Sequence, residues 1–479
     1  MKRIFYALIA LFLTVPAFAQ HNHRTGYFLD GYTYKYKINP AFGADRGYFA
    51  IPVLGYTSAA LETPLKVSGL LYPTGNNGEL VTFLSPTVSV DDVMKGVKPM
   101  NPLNLNTDIS VISLGFNTKK SFHTIDLSLK ADARLNVPGA LFSWVKETSE
   151  VLDMSKLGVN ADARIELAYG YSRAILKNAR FGFRVKLLAG LAKAQYMMDK
   201  LNLVASQDKW TVEAAGTGLF ASPFPLITDG SDRRISGIEM PDDYNVIIDN
   251  IIAARNIGAA IDLGFSIDLI KYLTISASVT DLGVMAWNNA YMLGSPDKPW
   301  TYDGFEGIGD EQMNLGEQFG VLGEELLDLV YPRVISEGAK KLNMLSMTAH
   351  LGVEFRMPFW QRLSVGALGT ARVDGPYSWY EGRASLNCAL FRWFSFSGSY
   401  AYSTFGESYG AALNIHPKGM NLFVGVDSYK PLLNMTKQYV PIDSFNTNVT
   451  VGLNIAFGKY RGRYPKRMTN KVISFFLYI

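Results

Sequence analysis

The chain has one cysteine and five histidines in 479 residues, and past its first nineteen positions no apolar run of membrane-helix length. A single cysteine excludes an intrachain disulfide and a cysteine metal cluster; Cys388 sits in an alternating stretch, 384–390, where it reads as a small packing residue. The histidines His21, His23, His123, His350 and His416 show no pairing with a serine, and His21 and His23 read as parts of a flexible end. No catalytic residue, metal site or cofactor is expected, and the chain is read as a non-enzyme without a nucleic-acid partner. A spanning helix needs about 18 or more apolar residues, so nothing beyond the leader predicts a helical anchor.

What is present is an export leader and a long alternation. Lys2 and Arg3, the apolar stretch from Ile4 to Val15, and Ala17-Phe18-Ala19 before Gln20 predict a signal peptide over 1–19. Ile125, Leu127, Leu129, Ala131 and Ala133 then alternate with Asp126, Ser128, Lys130, Asp132 and Arg134, which is period two. The pattern returns with Asp162, Arg164 and Glu166 between apolar neighbours, and again at Ile261–Asp268 and Phe394–Ser403. Backbone groups in lipid must be paired internally, so an exported chain of half-apolar strands can span a bilayer only as a closed barrel. The expected fold is all-β: a transmembrane antiparallel barrel of about 14 strands, with 16 as the alternative, in the outer membrane of a Gram-negative bacterium. Its partners would be outer-membrane lipid and the barrel assembly machinery.

Connections are unequal. Residues 117–121, 270–271, 357–360 and 391–393 are short, whereas 221–255 and 287–344 are long and predicted to face outward. Leu315, Phe319, Leu322, Leu326 and Val330 recur at helical spacing in the second long loop, and 244–254 is weakly amphipathic. These faces could form a groove for a hydrophobic ligand or simply cap the barrel mouth. Asp126, Lys130, Asp132, Arg134, Asp162, Arg164 and Glu166 would line the lumen, either bracing the wall by pairing or attracting a polar solute. Aromatics make up 13% of the chain, and Tyr272, Trp287, Trp360, Trp379, Tyr380 and Trp393 are candidates for the lipid-headgroup girdle. After Asp281 the apolar phase flips to Leu282 and Val284, which requires a bulge at Asp281-Leu282-Gly283. Gly406-Glu407-Ser408-Tyr409-Gly410 matches a nucleophile-elbow pattern, but strands on both sides make it a hairpin turn. The last 21 residues carry six bases and no acid, so 458–479 is expected to be a basic tail after the final strand closes at Phe457.

Asn39-Pro40-Ala41, within YKINPAFGA ahead of the first strand, resembles the N-terminal motif of FadL-type outer-membrane transporters of long-chain fatty acids and aromatic hydrocarbons. The stretches 101–116, 135–146 and 262–287 resemble an uncharacterised family of Bacteroidetes outer-membrane barrels. The FadL resemblance implies a short hatch at 20–46 containing Asn39, Pro40 and Ala41, a barrel over 47–457, and a lateral opening for apolar ligands. Asp281, Leu282 and Gly283 are the candidates for that gate, with a rim bulge as the structural alternative. The function expected is binding and passage of a hydrophobic or amphipathic small molecule; the alternative is an accessory barrel that docks a protein partner without transport.

Overall fold

The computed structural model describes residues 23–461, apart from 67–70, 74–79, 83–84, 86, 145–150, 206–209, 230–232, 296–299, 303–328, 330 and 430–443. The leader, most of the basic tail, and Leu315, Phe319, Leu322, Leu326 and Val330 of the expected loop groove lie outside the described residues.

The alternating stretches form one closed antiparallel barrel of 14 wall positions. It begins with β1 (Gly47–Ala50) and β2 (Thr57–Lys66), which share a position, and continues through β3 (Met100–Asn117), β4 (Ser121–Pro138), β5 (Gly158–Ala174) and β6 (Ala179–Ala205). The next position is divided between β7 (Trp210–Ala221) and β8 (Ile257–Ile270), both of which pair with β6 on one side and β9 (Leu273–Gly294) on the other. On the far side of β9, β10 (Arg333–Met344) and β11 (Met347–Arg356) share a position in the same way. The circuit is completed by β12 (Leu363–Val373), β13 (Trp379–Phe391), β14 (Phe394–Ser403), β15 (Gly406–Ile415), β16 (Met420–Val426) and β17 (Ser444–Phe457). β17 closes the seam by pairing with β1 and β2, Phe457 opposite Gly47 and Val451 opposite Thr57.

Strand direction gathers the short connections 118–120, 175–178, 271–272, 357–362, 392–393 and 416–419 at one end, the short-turn end, while the tight turns 374–378 and 404–405 lie at the other. The longer loops lie at the other end, where the helix Tyr244–Ala254 forms in the excursion between β7 and β8 with Asp243 as its N-cap. Period two sorts the side chains. Leu187 and Leu351 are about 60% exposed on the outer face, whereas Asp126, Glu166 and Lys186 are no more than 1% exposed inside.

Two expectations shift. The long loop after β9 is shorter at both ends than 287–344, because β9 runs to Gly294 and β10 starts at Arg333. The stretch 66–84, expected from the sequence to be one strand, is not one: among the described residues after β2, Leu71–Pro73 and Leu80–Thr82 pair only with each other. The strand ends at 287–294 and 333–344 were hidden because ladder pairing above the apolar band needs no alternation of hydrophobicity.

Candidate ligand site in the barrel lumen

The lumen is occupied from the short-turn end by residues 23–46, most of which are buried and none exposed. Asn39-Pro40-Ala41 forms a turn in that segment. The Asn39 side-chain oxygen accepts from the Ala41 N–H at 2.9 Å, closing a local turn of the kind Asn favours, and Pro40 has no N–H to leave unpaired there. The Asn39 amide donates to the Tyr27 hydroxyl at 3.1 Å and to the Phe265 and Ala277 carbonyls at 3.3 Å each, which fastens the turn to β8 and β9. The Ser278 hydroxyl donates to the Ile38 carbonyl at 2.7 Å, and Ser172 and Arg180 donate to that of Ala41 at 2.7 and 3.0 Å. Toward the seam, Arg24 pairs with Glu62 at 2.7 Å and Glu381 at 3.3 Å, Lys37 with Asp108 at 2.9 Å, and the Tyr34 hydroxyl lies 2.6 Å from the Asn454 side-chain oxygen. Each buried charge of the segment thus meets an opposite charge on the wall, the condition for tolerating it away from water.

Such close packing depends on lumen-facing glycines. A Cβ at Gly182 would come within 2.0 Å of the Pro40 carbonyl oxygen, one at Gly264 within 2.2 Å of the Asn39 oxygen, and one at Gly366 within 2.2 Å of the Phe28 ring. These glycines are the sequence signal for a filled lumen, one that period-two alternation does not carry.

Above the hatch runs a charged band. The cross-strand register sets Lys130 opposite Arg164 and Asp132 opposite Asp162, like against like. The attractive contacts are therefore diagonal: Lys130 reaches Glu166 at 2.9 Å and Arg164 reaches Asp132 at 3.0 Å, with Asp162 also on Arg164. The band extends beyond the two strands that the sequence singled out. Arg184 joins Asp126 at 3.2 Å to Asp262 at 3.0 Å, and Lys186 joins Asp262 at 2.7 Å to Asp281 at 2.6 Å. Arg372 contacts Asp132 at 3.3 Å, and Asp374 lies on Arg134.

A cavity of about 340 Å3 opens above this band. On β4, β5 and β6 the lining is polar, with Arg134, Arg164 and Lys193 against Asp132 and Asp162; on β9, β10 and the turn after it lies an apolar wall of Met285, Trp287, Met344 and Leu345 with Asn343 and Ser346 at its edge, and Arg372 and Asp374 complete the lining. The apolar wall backs onto the divided position of the barrel. Pairing of β6 with β8 ends at Ala189 and resumes with β7 at Lys193, while on β9 it lapses between Ala286 and Tyr291. In the interval Asn256 accepts from Gly190 N–H at 2.8 Å through its carbonyl and from Asn288 N–H at 2.9 Å through its side chain. The Trp287 ring fills the space behind, close enough to Gly190 that a Cβ there would lie 2.6 Å from it, packed with Leu188, Leu219, Met285 and Ala290. A second cavity, about 700 Å3, lies at the short-turn end beneath the hatch residues Tyr27, Phe28 and Tyr32 and shares no lining residue with the first.

The other sequence candidates fall as follows. Asp281, Leu282 and Gly283 occupy an irregularity in β9: Asp281 has φ +59°, the register with β8 shifts between Ile261 and Leu263, and the Leu345 N–H donates to the Gly283 carbonyl at 3.0 Å. Asp281 points inward onto Lys186. Of the girdle aromatics, Tyr380 and Trp393 are exposed on the outer face, but Trp287 and Trp379 are buried inside, because their positions are on the lumen phase of their strands; Trp379 lies 5.0 Å from the Arg24 guanidinium. His23 is buried beside Asp427 in the hatch, not in a flexible end. Ser408 lies within β15, in the hairpin after β14. No cluster of three or more metal-binding side chains occurs among the described residues.

Fold and lumen together define a closed, hatch-filled β-barrel. The chain belongs to the family of unknown function DUF5723, whose pattern matches residues 40–427. It is similar in structure to the toluene transporter TbuX of Ralstonia pickettii, at 9% identity over 92% of this chain and 97% of that one, with a TM-score of 0.42. The toluene transporter TodX of Pseudomonas putida gives 9% identity, 92% and 100% coverage and 0.41. A FadL homologue of Pseudomonas aeruginosa gives 10%, 92% and 100%, and 0.40. No curated protein matches the sequence.

Proposed function

We propose that the protein is an outer-membrane barrel that takes up a hydrophobic or amphipathic small molecule in the cavity above the hatch and passes it sideways through the wall. The observation that carries this reading is the two-faced cavity. Its cationic and carboxylate wall suits a polar or anionic head, its Met285, Trp287 and Leu345 wall suits an apolar body, and the apolar side adjoins the one stretch of β9 where ladder pairing lapses toward the divided position. Burial of an apolar chain against such a wall is favourable by about 25 cal/mol per Å2, whereas the ion-paired band and the hatch below oppose axial passage of the same chain. The lateral gate would comprise β9 from Asp281-Leu282-Gly283 to Ala290, with Lys186 holding its lower end and Trp287 as the moving leaf. Transport requires no covalent step and no catalytic residue.

Transfer of a fluorescent fatty acid into vesicles containing the folded protein tests the reading. Trp287→Ala should accelerate transfer several-fold while binding of the probe weakens, because the variant removes both the obstruction and part of the apolar wall. Unchanged transfer in Trp287→Ala would remove this gate. Absence of probe binding to the native protein would favour the accessory barrel that docks a protein.

A further inference from the structure

The two ends of the barrel differ in charge. The long connections 222–256 and 295–332 hold fifteen acids against four bases, whereas the six short connections hold Lys119, Lys120, Lys177, Lys271, Arg362, Arg392 and Lys418 and no acid. Each of these six turns carries at least one cation, so the positive charge is distributed around the whole circumference of this end. Lys459 extends it past the last strand, and all the lysines of the ring are exposed. Immediately inside this ring lies a band of outward-facing aromatics: Phe391 and Trp393 stack at 5.5 Å, Phe116 stacks on His123 at 5.0 Å, and Phe355 and Phe457 are each about 40% exposed. Lys271 lies 5.2 Å from the centre of the Tyr272 ring, joining the two bands directly.

We infer that this ring is a binding surface for anionic phospholipid headgroups of the leaflet that faces the short turns. The inference rests on the membrane reading above and adds the chemistry of the lipid. Aromatic rings fix the level of the headgroup region, and cations just beyond it meet phosphodiesters, whose net negative charge distinguishes anionic from zwitterionic lipid. The annular arrangement favours lipid over an acidic protein, since a docked protein covers one side of a barrel and lipid surrounds it.

The test uses the full-length protein in vesicles of phosphatidylcholine with increasing phosphatidylglycerol, each brominated in turn so that it quenches tryptophan. The reporter is the fluorescence lost on Trp393→Phe. Anionic lipid should bind around Trp393 roughly three- to fivefold better than zwitterionic lipid, the preference collapsing toward unity in high salt. A variant with Lys119, Lys120, Lys177, Lys271, Lys418 and Lys459 all changed to Gln should lose the preference while remaining heat-modifiable; the salt titration of the native protein stands even if that variant does not fold. Equal quenching by both lipids in the native protein at low salt would overturn the ring and leave the membrane reading intact. Absence of quenching by either lipid would overturn both.

Discussion

Gly264→Ala is the sharpest perturbation the lumen offers. Its new Cβ would sit 2.2 Å from the Asn39 side-chain oxygen, 2.7 Å from the Ala41 nitrogen and 2.8 Å from the Pro40 nitrogen. Ordinary contacts to carbon are about 3.5 Å or more, so the Asn39-Pro40-Ala41 turn must retreat by roughly 1 Å, two of the three close atoms being backbone. Retreat on that scale breaks the Asn39 amide bonds to Phe265 and Ala277, already 3.3 Å long, and weakens that to Tyr27 at 3.1 Å. At about 1 kcal/mol net for each bond, the hatch loses about 2 to 3 kcal/mol of docking, or roughly thirty- to a hundredfold in its opening equilibrium. Amide hydrogen exchange across 24–42 reads this directly, with heat-modifiability reporting the barrel. Gly398→Ala is the control, because a Cβ there meets nothing within 4 Å. Equal exchange in the two variants would refute the claim that these glycines seat the hatch.

Leu351→Arg, on the outer face of β11, should lower barrel stability in lipid by about 2 to 4 kcal/mol if that face meets the bilayer midplane, and denaturant titration in vesicles showing no change would sink the face assignment. Lys186→Met leaves Asp262 and Asp281 without their closest shared cation and should destabilise the fold by about 3 to 5 kcal/mol, with Asp281→Asn on that background recovering part of the loss; a double variant no better than the single would contradict the pairing. In a background where Cys388 is buried, a cysteine at Asn245 should react with an impermeant reagent on intact cells and one at Lys177 should not, and the opposite result would invert the topology. Burial pushes the His416 imidazole down to about 4. Since the unfolded side chain titrates near 6.5, the unfolded state takes up the proton first, so this group's effect is absent above that value and stability falls as pH drops from about 6.5 to 4. His416→Gln should flatten that part of the stability profile, and an unaltered slope would refute the assignment.

The wall was legible because its physics is local. Asp126 to Arg134 alternate with apolar neighbours for a reason that acts residue by residue, and the two faces follow from period two alone. The bulge position was legible for the same reason, as a phase error near Asp281. The charged band was visible only in its first two strands: Arg184, Lys186, Asp262 and Asp281 join it through the register of neighbouring strands, Arg184 directly opposite Asp262, and register is not carried by reading each strand alone. The hatch shows the limit from another side. Asn39-Pro40-Ala41 stood out by resemblance, but its seat is made of Gly182 and Gly264, more than a hundred residues away, and a glycine in a strand has many causes. Trp287 and Trp379 were misplaced because an aromatic near a strand end suits either a girdle or a lumen, and only the phase of its strand decides.

The seam between β17 and the first two strands also sets an order of events. Arg24 and Thr25 donate their backbone N–H groups to Asp427, about 400 residues later in the chain. Arg24 and Lys37 meet Glu62 and Asp108 on early strands, but the remaining partners of this end of the segment, Glu381 and Asp427, exist only once nearly the whole circuit does. Contacts of such sequence separation form slowly, so until then the hatch waits as a solvated segment anchored only through its early contacts. Ring closure and plugging then become a single late step, and a circuit that closes around the hatch is also one whose final strands have arrived in register.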